Sequence, residues 1–426
     1  MIVIYTTKVT NRIKYVLDFV FQQYFGIEYV LTNELDFTVL PENFYINYSD
    51  KKIPNTFSIF QDDLLLQEDI RVQKIFITQE KNLSVFFQTT DNYHIKFDVF
   101  SCIFFLLSRY EEYLPHEKDV HGRFLSSNSI LANPSFGFSP IVEFWLDELK
   151  TEMLSVQPNL YFTKLQFEYL PTFDIDNAFQ YLGRNWFKKP PNIFKKSCSS
   201  VLFRKEKDAY DTFDFIFDEL NKNQLTSIFF FLMNDDDKND SNVSPTSSLL
   251  HALITKIKTQ NIEIGIHPSY HAFEKDLIKN EKEVLDTIAS NLVTISRQHF
   301  LKISFPNYFR KLVEVGIQKD FSLSYPDVIG FRAGCSRPFF FYDLEKNETT
   351  QLLLQPSCFM DATFEYYQSQ KINNIQQEFL TIFNQLKKIN GKLVPIFHND
   401  LLAKSKFRNI FTFINQHVTK EIGNEE

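Results

Sequence analysis

The spacing of apolar and polar positions changes about a third of the way along the chain. Up to about residue 160 there is no regular alternation of elements. "MIVIYTT" indicates a strand, and Val16, Phe19, Val20 and Tyr24 then recur at helical spacing. "FDVFSCIFFLLSRYEEYL" indicates a buried helix, and "ILANPSFGFSPIVEFWLDEL" indicates a loop that leads into another helix. We therefore interpret residues 1–160, the N-terminal region, as a smaller mixed α/β domain of unknown function.

From about residue 165, strand-like and helix-like segments alternate. The strand-like segments are "LQFEYLPTFDID", "SIFFFLM", "IEIGIH", "VTISRQHFLKI", "FSLSYPDVIGFRAG", "QLLLQPSCFMDATF" and "KLVPIF". Helical spacing falls between most of them, as in "DTFDFIFDELNKN" and "PTSSLLHALITKIKTQ". This alternation predicts parallel strands with helices outside them, so residues 165–426, the C-terminal region, form an α/β domain.

Polar side chains recur where the predicted strands end. The chain carries "DID", "HPSYH", "RQH", "FRAG", "MDAT" and "HND" at these places. In folds of this type, chemistry collects at the carboxyl ends of the strands. One polar strand end means little, but six in one domain predict a common pocket.

Several of these strand-end residues suit a metal site. Asp174 and Asp176 are two residues apart and would enter the pocket from one face of a strand. His267 and His271 are spaced i, i+4, which suits two imidazoles on one metal ion if the segment turns helically. His299 offers a third candidate imidazole.

Two further residues suit other roles at the same edge. Arg297 lies on the strand face that also carries His299, and His398 ends the last strand, where it is placed to act as an acid or a base.

Composition excludes several classes of function. Of 426 residues, 44% are hydrophobic, which is enough for two substantial cores. Only ten are glycine, and neither glycine-rich phosphate-loop motif is present. A net charge of −8 argues against general binding to nucleic acid or anionic membranes, and the four distant cysteines form no C-x-x-C pair. The N-terminus lacks the features of a signal peptide and no apolar run is long enough to span a bilayer, so we expect a cytoplasmic protein.

Three polar segments outside the strand ends remain open to interpretation. Residues 183–208 contain eight Lys or Arg and two acidic residues, and they form either a solvated surface insertion or a partner surface for an anionic substrate group. The acidic residues 233–242 lack the glycine and distal glutamate of a calcium loop, which indicates a flexible loop. "RYEEY" and "HEKDVHGRF" fit a solvated helix end and a turn better than a contribution to a neighbouring site.

The order of short motifs resembles the NodB-like polysaccharide deacetylases. "TFDID", "GIHPSY", "SRQH", "GFRAG" and "MDAT" carry this resemblance, and with "SRYEEYLPH" the whole chain resembles bacterial proteins that join an uncharacterised N-terminal domain to such a fold. The resemblance implies a distorted (β/α) barrel. It also implies a divalent metal, expected to be Zn with Co or Ni as alternatives, and a carbohydrate or sugar-precursor substrate.

The resemblance assigns roles to individual residues. It implies Asp174 as the base, and Asp176 and His267 as metal ligands. Either His271 or His299 would be the remaining ligand. The motif arginine is Arg297 or, alternatively, Arg332, and His398 would be the acid, oriented by Asp361 or Asp320. In the family the two carboxylates are adjacent, whereas Ile175 separates them here, so their division of labour stays open.

The implied reaction is metal-assisted removal of an N-acetyl or, less directly, an O-acetyl group. Three alternatives remain. The first is hydrolysis of an amide in a non-sugar substrate. The second is a glycosidase with Asp174 and Asp361 as paired carboxylates, and the third is a protein that binds carbohydrate without catalysis.

Overall fold

The computed structural model describes residues 1–34, 43–184, 196–235, 238–240, 242–260 and 262–423. They form a mixed α/β structure with two principal sheets, one in each region of the chain. Over these residues, the helices are either too short or too polar to cross a membrane.

The N-terminal region is built on a small parallel sheet. Its strands are β1 (Ile2–Tyr5), β2 (Tyr29–Thr32), β3 (Phe44–Tyr48), β4 (Phe57–Ile59), β5 (Thr78–Glu80) and β6 (Leu83–Val85). The first four pair in the order β2-β1-β3-β4, and β5 and β6 form a separate antiparallel pair. Its helices are α1 (Asn11–Leu17), continued by a π-helical segment (Asp18–Phe25), α2 (Val99–Leu107) and α3 (Ile141–Val156). The mixed α/β character expected for this region is therefore present.

The C-terminal region contains a larger sheet flanked by helices. Its strands are β7 (Glu168–Tyr169), β8 (Thr172–Ile175), β9 (Ile228–Leu232), β10 (Glu263–His267), β11 (Ile295–Ser296), β12 (Lys319–Asp320), β13 (Phe339–Asp343), β14 (Glu348–Leu354), β15 (Phe359–Met360), β16 (Lys392–Leu393) and β17 (Pro395–His398). Its helices are α4 (Lys196–Leu202), α5 (Phe213–Lys222), α6 (Ser248–Thr259), α7 (Ile278–Ala289), α8 (Asn307–Glu314), α9 (Ile372–Lys388) and α10 (Ser405–Gly423).

Nine of these strands form one sheet in the order β13-β14-β12-β11-β10-β9-β8-β17-β15. Every neighbouring pair is parallel except the β13–β14 hairpin. From β8 to β12 the strands are neighbours in sequence order, with helices between them, as the alternating pattern predicts. Their carboxyl ends therefore lie along one edge.

One predicted strand is wrong. Residues 321–334 contain no strand, although Phe321, Leu323 and Tyr325 alternate with serines. The alternation is misleading because Ser322 and Ser324 are also buried, and Ser322 is held by hydrogen bonds to the Asp320 carboxylate rather than exposed on a sheet face.

The sheet is strongly curved. Seven inter-strand steps separate β14 from β15, which would place them ~34 Å apart in a flat sheet. Only residues 355–358 connect these strands, and the five steps from Leu354 to Phe359 span at most ~18 Å. The two edges must therefore approach each other. Among the described residues the pairing does not close, so a complete barrel is not shown.

The concave side of this sheet has its own small apolar cluster. It consists of five buried residues from β9, from β11 and from the flanks of β12 and β17: Ile228, Phe230, Ile295, Phe321 and Val394. Gly265 of β10 lies between two of these side chains. A Cβ atom there would come within 2.4 Å of the Phe230 ring and 3.1 Å of Ile295.

We expect Gly265→Ala to destabilise the protein by about 1–3 kcal/mol, because the added methyl group overpacks the concave cluster. Gly→Ala substitutions at unstrained positions are otherwise mildly stabilising, so the sign is diagnostic. Urea unfolding measures the change. Adding Phe230→Leu should recover part of the loss, since it removes ring atoms at the contact. Equal or greater stability of Gly265→Ala would contradict this packing.

Candidate metal centre and hydrolytic site

The two carboxylates of "TFDID" lie at the end of β8. Asp174 is the third residue of the strand and is paired with His398 of β17, and Asp176 follows the strand directly. Ile175 between them is fully buried in the main apolar core. The strand period of two therefore sends both aspartates to the same side. The single intervening residue, Ile175, lets both carboxylates face the same side of the sheet, whereas adjacent strand residues face opposite sides.

Asp174 is bound by a buried arginine. Arg297 Nη1 donates to Asp174 Oδ1 at 2.7 Å, and Arg297 Nη2 donates to the Thr172 hydroxyl at 2.8 Å. The guanidinium carbon lies 4.4 Å from the centre of the Phe230 ring. Arg297 follows β11, so its side chain crosses the concave side of the sheet to reach β8. A buried charge pair is favourable only when it is this fully hydrogen-bonded.

Arg332, the alternative to Arg297, lies elsewhere. Its Nε and Nη2 donate to the two oxygens of Glu112 at 2.9 and 2.6 Å. Arg109 also donates to Glu112, at 3.0 Å. This buried cluster joins the N-terminal region to the segment after β12, which is a structural connection between the two regions.

Asp176, His267 and His299 converge on one point. His267 Nε2 lies 3.1 Å from Asp176 Oδ1, and His299 Nε2 lies 3.4 Å from Asp176 Oδ2. One atom from each residue can be chosen so that all lie within 4.8 Å of one another. About a fifth of the Asp176 side chain is exposed, so the cluster is open to a ligand from one side.

Both histidines are oriented by hydrogen bonds on their other ring nitrogen. His267 Nδ1 lies 2.5 Å from the carbonyl oxygen of Arg297, and His299 Nδ1 lies 2.8 Å from Asp240 Oδ1. These oxygens accept hydrogen bonds, so in the neutral rings Nδ1 carries the proton and Nε2 presents a lone pair. Metal-binding histidines are typically held in this way.

The cluster fits a divalent cation. Asp176 Oδ1 is buried and makes no hydrogen bond with the described residues, although the His267 Nε2 lone pair faces it. Two facing lone pairs repel each other unless a proton or a metal ion lies between them. Without a metal, burial lowers the pKa of His299, but the carboxylates of Asp176 and Asp240 outweigh burial and raise this pKa to about 9. A metal ion would displace that proton.

Asp240 is a site residue that the sequence reasoning missed. It belongs to the acidic segment 233–242, which the pattern indicated to be a flexible loop. That interpretation is wrong for Asp240 and Asn242, which are both buried. The Asn242 side chain donates to the carbonyl oxygens of Ile175 and Leu232 and so fastens the segment to the ends of β8 and β9. Its place after β9, at the same sheet edge, was the available signal.

His271 lies outside the cluster. Its side chain is about a third exposed, and Nδ1 lies 3.9 Å from Glu274. The segment after His267 does not form the helix turn that the i, i+4 spacing requires; instead Ser269 binds Glu281 and the Tyr270 amide binds Asp240. The structure thus brings His299, and not His271, together with His267.

His398 ends β17, which pairs with β8 on the side away from the strands that carry His267 and His299. Its Nε2 is 4.0 Å from Asp174 Oδ2 and 3.8 Å from Asp176 Oδ2, and its Nδ1 is 2.6 Å from Asp361 Oδ1. Burial lowers the pKa of His398, but Asp361 and the two aspartates outweigh burial and raise it to about 10. Asp361 therefore orients a protonated imidazole toward the pocket.

Asp320, the other candidate partner of His398, is bound elsewhere. Its carboxylate accepts hydrogen bonds from Ser296 and Ser322, and burial raises its pKa to about 6.

These groups open into a cleft with a volume of about 230 Å³. Besides the ionisable groups, the wall includes Phe300, Met360, Tyr366 and Tyr367. Arg123 of the "HEKDVHGRF" segment also lines the cleft, so this segment is not only a solvated turn. Of the basic segment 183–208, residues 185–195 lie outside the described part of the chain, and its suggested role toward an anionic substrate stays a prediction.

By sequence, comparison with known protein families matches the N-terminal region. Residues 2–158 match a family of unknown function, DUF7033. No curated protein matches the sequence.

Solved structures resemble part of the chain weakly. A probable polysaccharide deacetylase from Pseudomonas aeruginosa is 12% identical, with a TM-score of 0.40 over 59% of this chain and 85% of its own. An allantoinase is 11% identical, with a TM-score of 0.39 over 61% of this chain and 85% of its own. A polysaccharide deacetylase from Bacillus cereus is 11% identical, with a TM-score of 0.29 over 60% of this chain and 88% of its own. Similarity at this level carries no information about the reaction of this chain.

Proposed function

We propose that this protein is a metal-dependent hydrolase that removes N-acetyl, or alternatively O-acetyl, groups from a sugar or polysaccharide precursor. The observation that carries the proposal is the convergence of Asp176, His267 and His299, in which lone pairs of Asp176 Oδ1 and His267 Nε2 face each other. Two ionisable pairs lie beside this cluster, Asp174 with Arg297 and His398 with Asp361. The choice of a sugar substrate rests on the order of motifs along the C-terminal region, which resembles the NodB-like polysaccharide deacetylases.

Asp176, His267 and His299 would hold the cation through a carboxylate oxygen and two Nε2 atoms. This donor set suits Zn²⁺, Co²⁺ or Ni²⁺ and leaves coordination positions open. When bound, the cation supplies positive charge that lowers the pKa of water and stabilises negative charge developing on the substrate carbonyl oxygen.

Asp174 would be the group that accepts a proton. Arg297 occupies its Oδ1, whereas Oδ2 faces the cleft, 3.9 Å from His267 Nε2 and 4.0 Å from His398 Nε2. The hydrogen bond from Arg297 holds the carboxylate in one orientation. Asp174 would therefore take a proton from the attacking water through Oδ2.

His398 would be the group that donates a proton. The hydrogen bond to Asp361 fixes its ring, and its raised pKa keeps Nε2 protonated at neutral pH. An amine leaves a tetrahedral intermediate readily only when it is protonated. His398 would supply that proton to the leaving nitrogen.

The glycosidase alternative fits the structure less well. It requires Asp361 as a free carboxylate, but its Oδ1 is bound by His398 Nδ1 and its Oδ2 by the His398 backbone amide. Asp361 is also almost fully buried. Its arrangement is that of a residue that orients a histidine.

The experiment that tests the function combines metal analysis with acetate release. We expect the purified protein to hold about one Zn, Co or Ni ion per chain and to release acetate from N-acetylated amino-sugar oligomers. Chelation should abolish the release, and added metal should restore it. Absence of any bound divalent metal would contradict the hydrolase proposal. Bound metal with hydrolysis of non-sugar amides only would replace the substrate class.

A further inference from the structure

Arg123 is a residue of the N-terminal region whose side chain lies inside the cleft of the C-terminal region. It is only 3% exposed, although its segment has a polar sequence. The segment folds back on itself because the Asp119 carboxylate accepts hydrogen bonds from the Arg123 backbone amide and Nε, at 2.9 and 2.7 Å. The Asp119 carboxylate thereby fixes the position of the guanidinium.

Across the cleft, Arg123 binds two separate segments. Its Nη1 donates to the carbonyl oxygen of Phe300 at 2.7 Å, and its Nη2 donates to the Tyr367 hydroxyl at 3.0 Å. Both acceptors lie in the wall of the cleft. One planar cation therefore joins two sides of the site.

The first segment follows a candidate metal ligand. Phe300 and Leu301 come directly after His299 and both adopt left-handed backbone conformations, with φ of 61° and 51°. Such conformations are unfavourable for non-glycine residues and persist only where surrounding contacts impose them. The N-terminal region provides two contacts here: the hydrogen bond from Arg123 and the His121 ring, 5.1 Å from the Phe300 ring.

The second segment follows the residue that orients His398. Tyr367 ends the π-helical turn Thr363–Tyr367, which begins two residues after Asp361. The Arg123–Tyr367 bond thus reaches the acid side of the site, whereas the Arg123–Phe300 bond reaches the metal side.

We propose that Arg123 is a positioning residue through which the N-terminal region sets the spacing between His299 and the Asp361–His398 pair. The N-terminal region then completes the hydrolytic site instead of being an independent module. This inference rests on the proposed metal-dependent function.

The test uses full-length Arg123→Lys, because lysine keeps the charge but cannot hold three acceptors in the planar geometry of arginine. We expect affinity for Zn²⁺, measured by competition with a chromophoric chelator, to fall by ~10-fold, as when the partners of ligands are lost. The visible absorption spectrum of the Co²⁺-loaded protein should change as well. Arg12→Lys is the matched control. Arg12 is equally buried in the same region and donates to two carbonyl oxygens, of Leu64 and Asp69.

The outcomes separate this inference from the function on which it rests. Wild-type protein that binds no metal contradicts both. Metal-binding wild type with an unchanged Arg123→Lys affinity and spectrum overturns the positioning role alone, as does an equal loss in Arg12→Lys.

Tyr367→Phe provides a second variant, which we expect to fold because it removes one hydroxyl from a partly exposed side chain. It should lower kcat several-fold with metal affinity unchanged. Unchanged kcat would remove the link to the acid side and overturn the proposed spacing role.

Discussion

Replacing His299 with alanine is expected to weaken Zn²⁺ binding by more than ~100-fold, whereas His271→Ala should leave it nearly unchanged. Loss of a direct ligand should cost more than the ~10–100-fold that accompanies loss of its hydrogen-bond partners. The structure places His299 Nε2 3.4 Å from Asp176, and it places His271 beside Glu274 on a partly exposed segment. Equilibrium dialysis with Zn²⁺, or chelator competition, measures both variants.

The two substitutions are well matched because each removes one imidazole from a neighbouring part of the same sheet edge. Asp176→Asn should behave like His299→Ala, since it removes the charge of the only carboxylate in the three-residue cluster. Equal retention of metal in His299→Ala and His271→Ala would show that the ligand set is wrong. Loss in His271→Ala alone would place the metal on the helical His pair that the spacing suggested.

Replacing Asp174 with asparagine is expected to lower kcat/KM for acetate release by ~10²–10⁴-fold, the usual contribution of a general base. Metal content should stay near that of the wild type, because Asp174 is not among the three converging residues. Asparagine keeps the shape and still accepts a hydrogen bond from Arg297, but it cannot take up a proton. Steady-state kinetics and metal analysis on the same preparation measure the two effects.

Comparing Asp174→Asn with Asp176→Asn decides which aspartate binds the metal and which acts as the base. If Asp174→Asn loses metal and Asp176→Asn keeps it, the roles are the reverse of those proposed. Folding needs a separate check, since Asp174→Asn leaves the buried Arg297 without a counter-charge and removing one partner of such a pair costs about 3–5 kcal/mol. Unfolding curves for Asp174→Asn should therefore accompany its kinetics.

The sequence was most informative where its signal was local. The alternating strand and helix patterns predicted parallel strands with helices between them, as found from β8 to β12, because the pattern of each element is visible within about ten residues. The polar strand ends were also visible, since a strand presents alternate residues to one side. The pattern failed in residues 321–334, where buried serines imitate a half-exposed strand, and it could not distinguish His271 from His299.

The two histidines could not be distinguished because the contacts that decide between them join residues far apart in the chain. His299 is held by Asp240, 59 positions away, and Arg297 reaches Asp174 over 123 positions. The spacing of four between His267 and His271 is a local feature. It brings the two imidazoles together only if the backbone forms a helix turn there, and it does not.

The sequence by itself determined the class of structure and the sheet edge at which the polar side chains lie, because hydrophobic periodicity and strand ends are properties of short segments. Only the tertiary structure decided which side chains meet. The curvature of the sheet brings Arg297 to Asp174, the burial of the acidic segment supplies Asp240 to His299, and packing between the two regions carries Arg123 into the cleft. Each of these depends on how distant segments close on one another, which no local pattern of residues encodes.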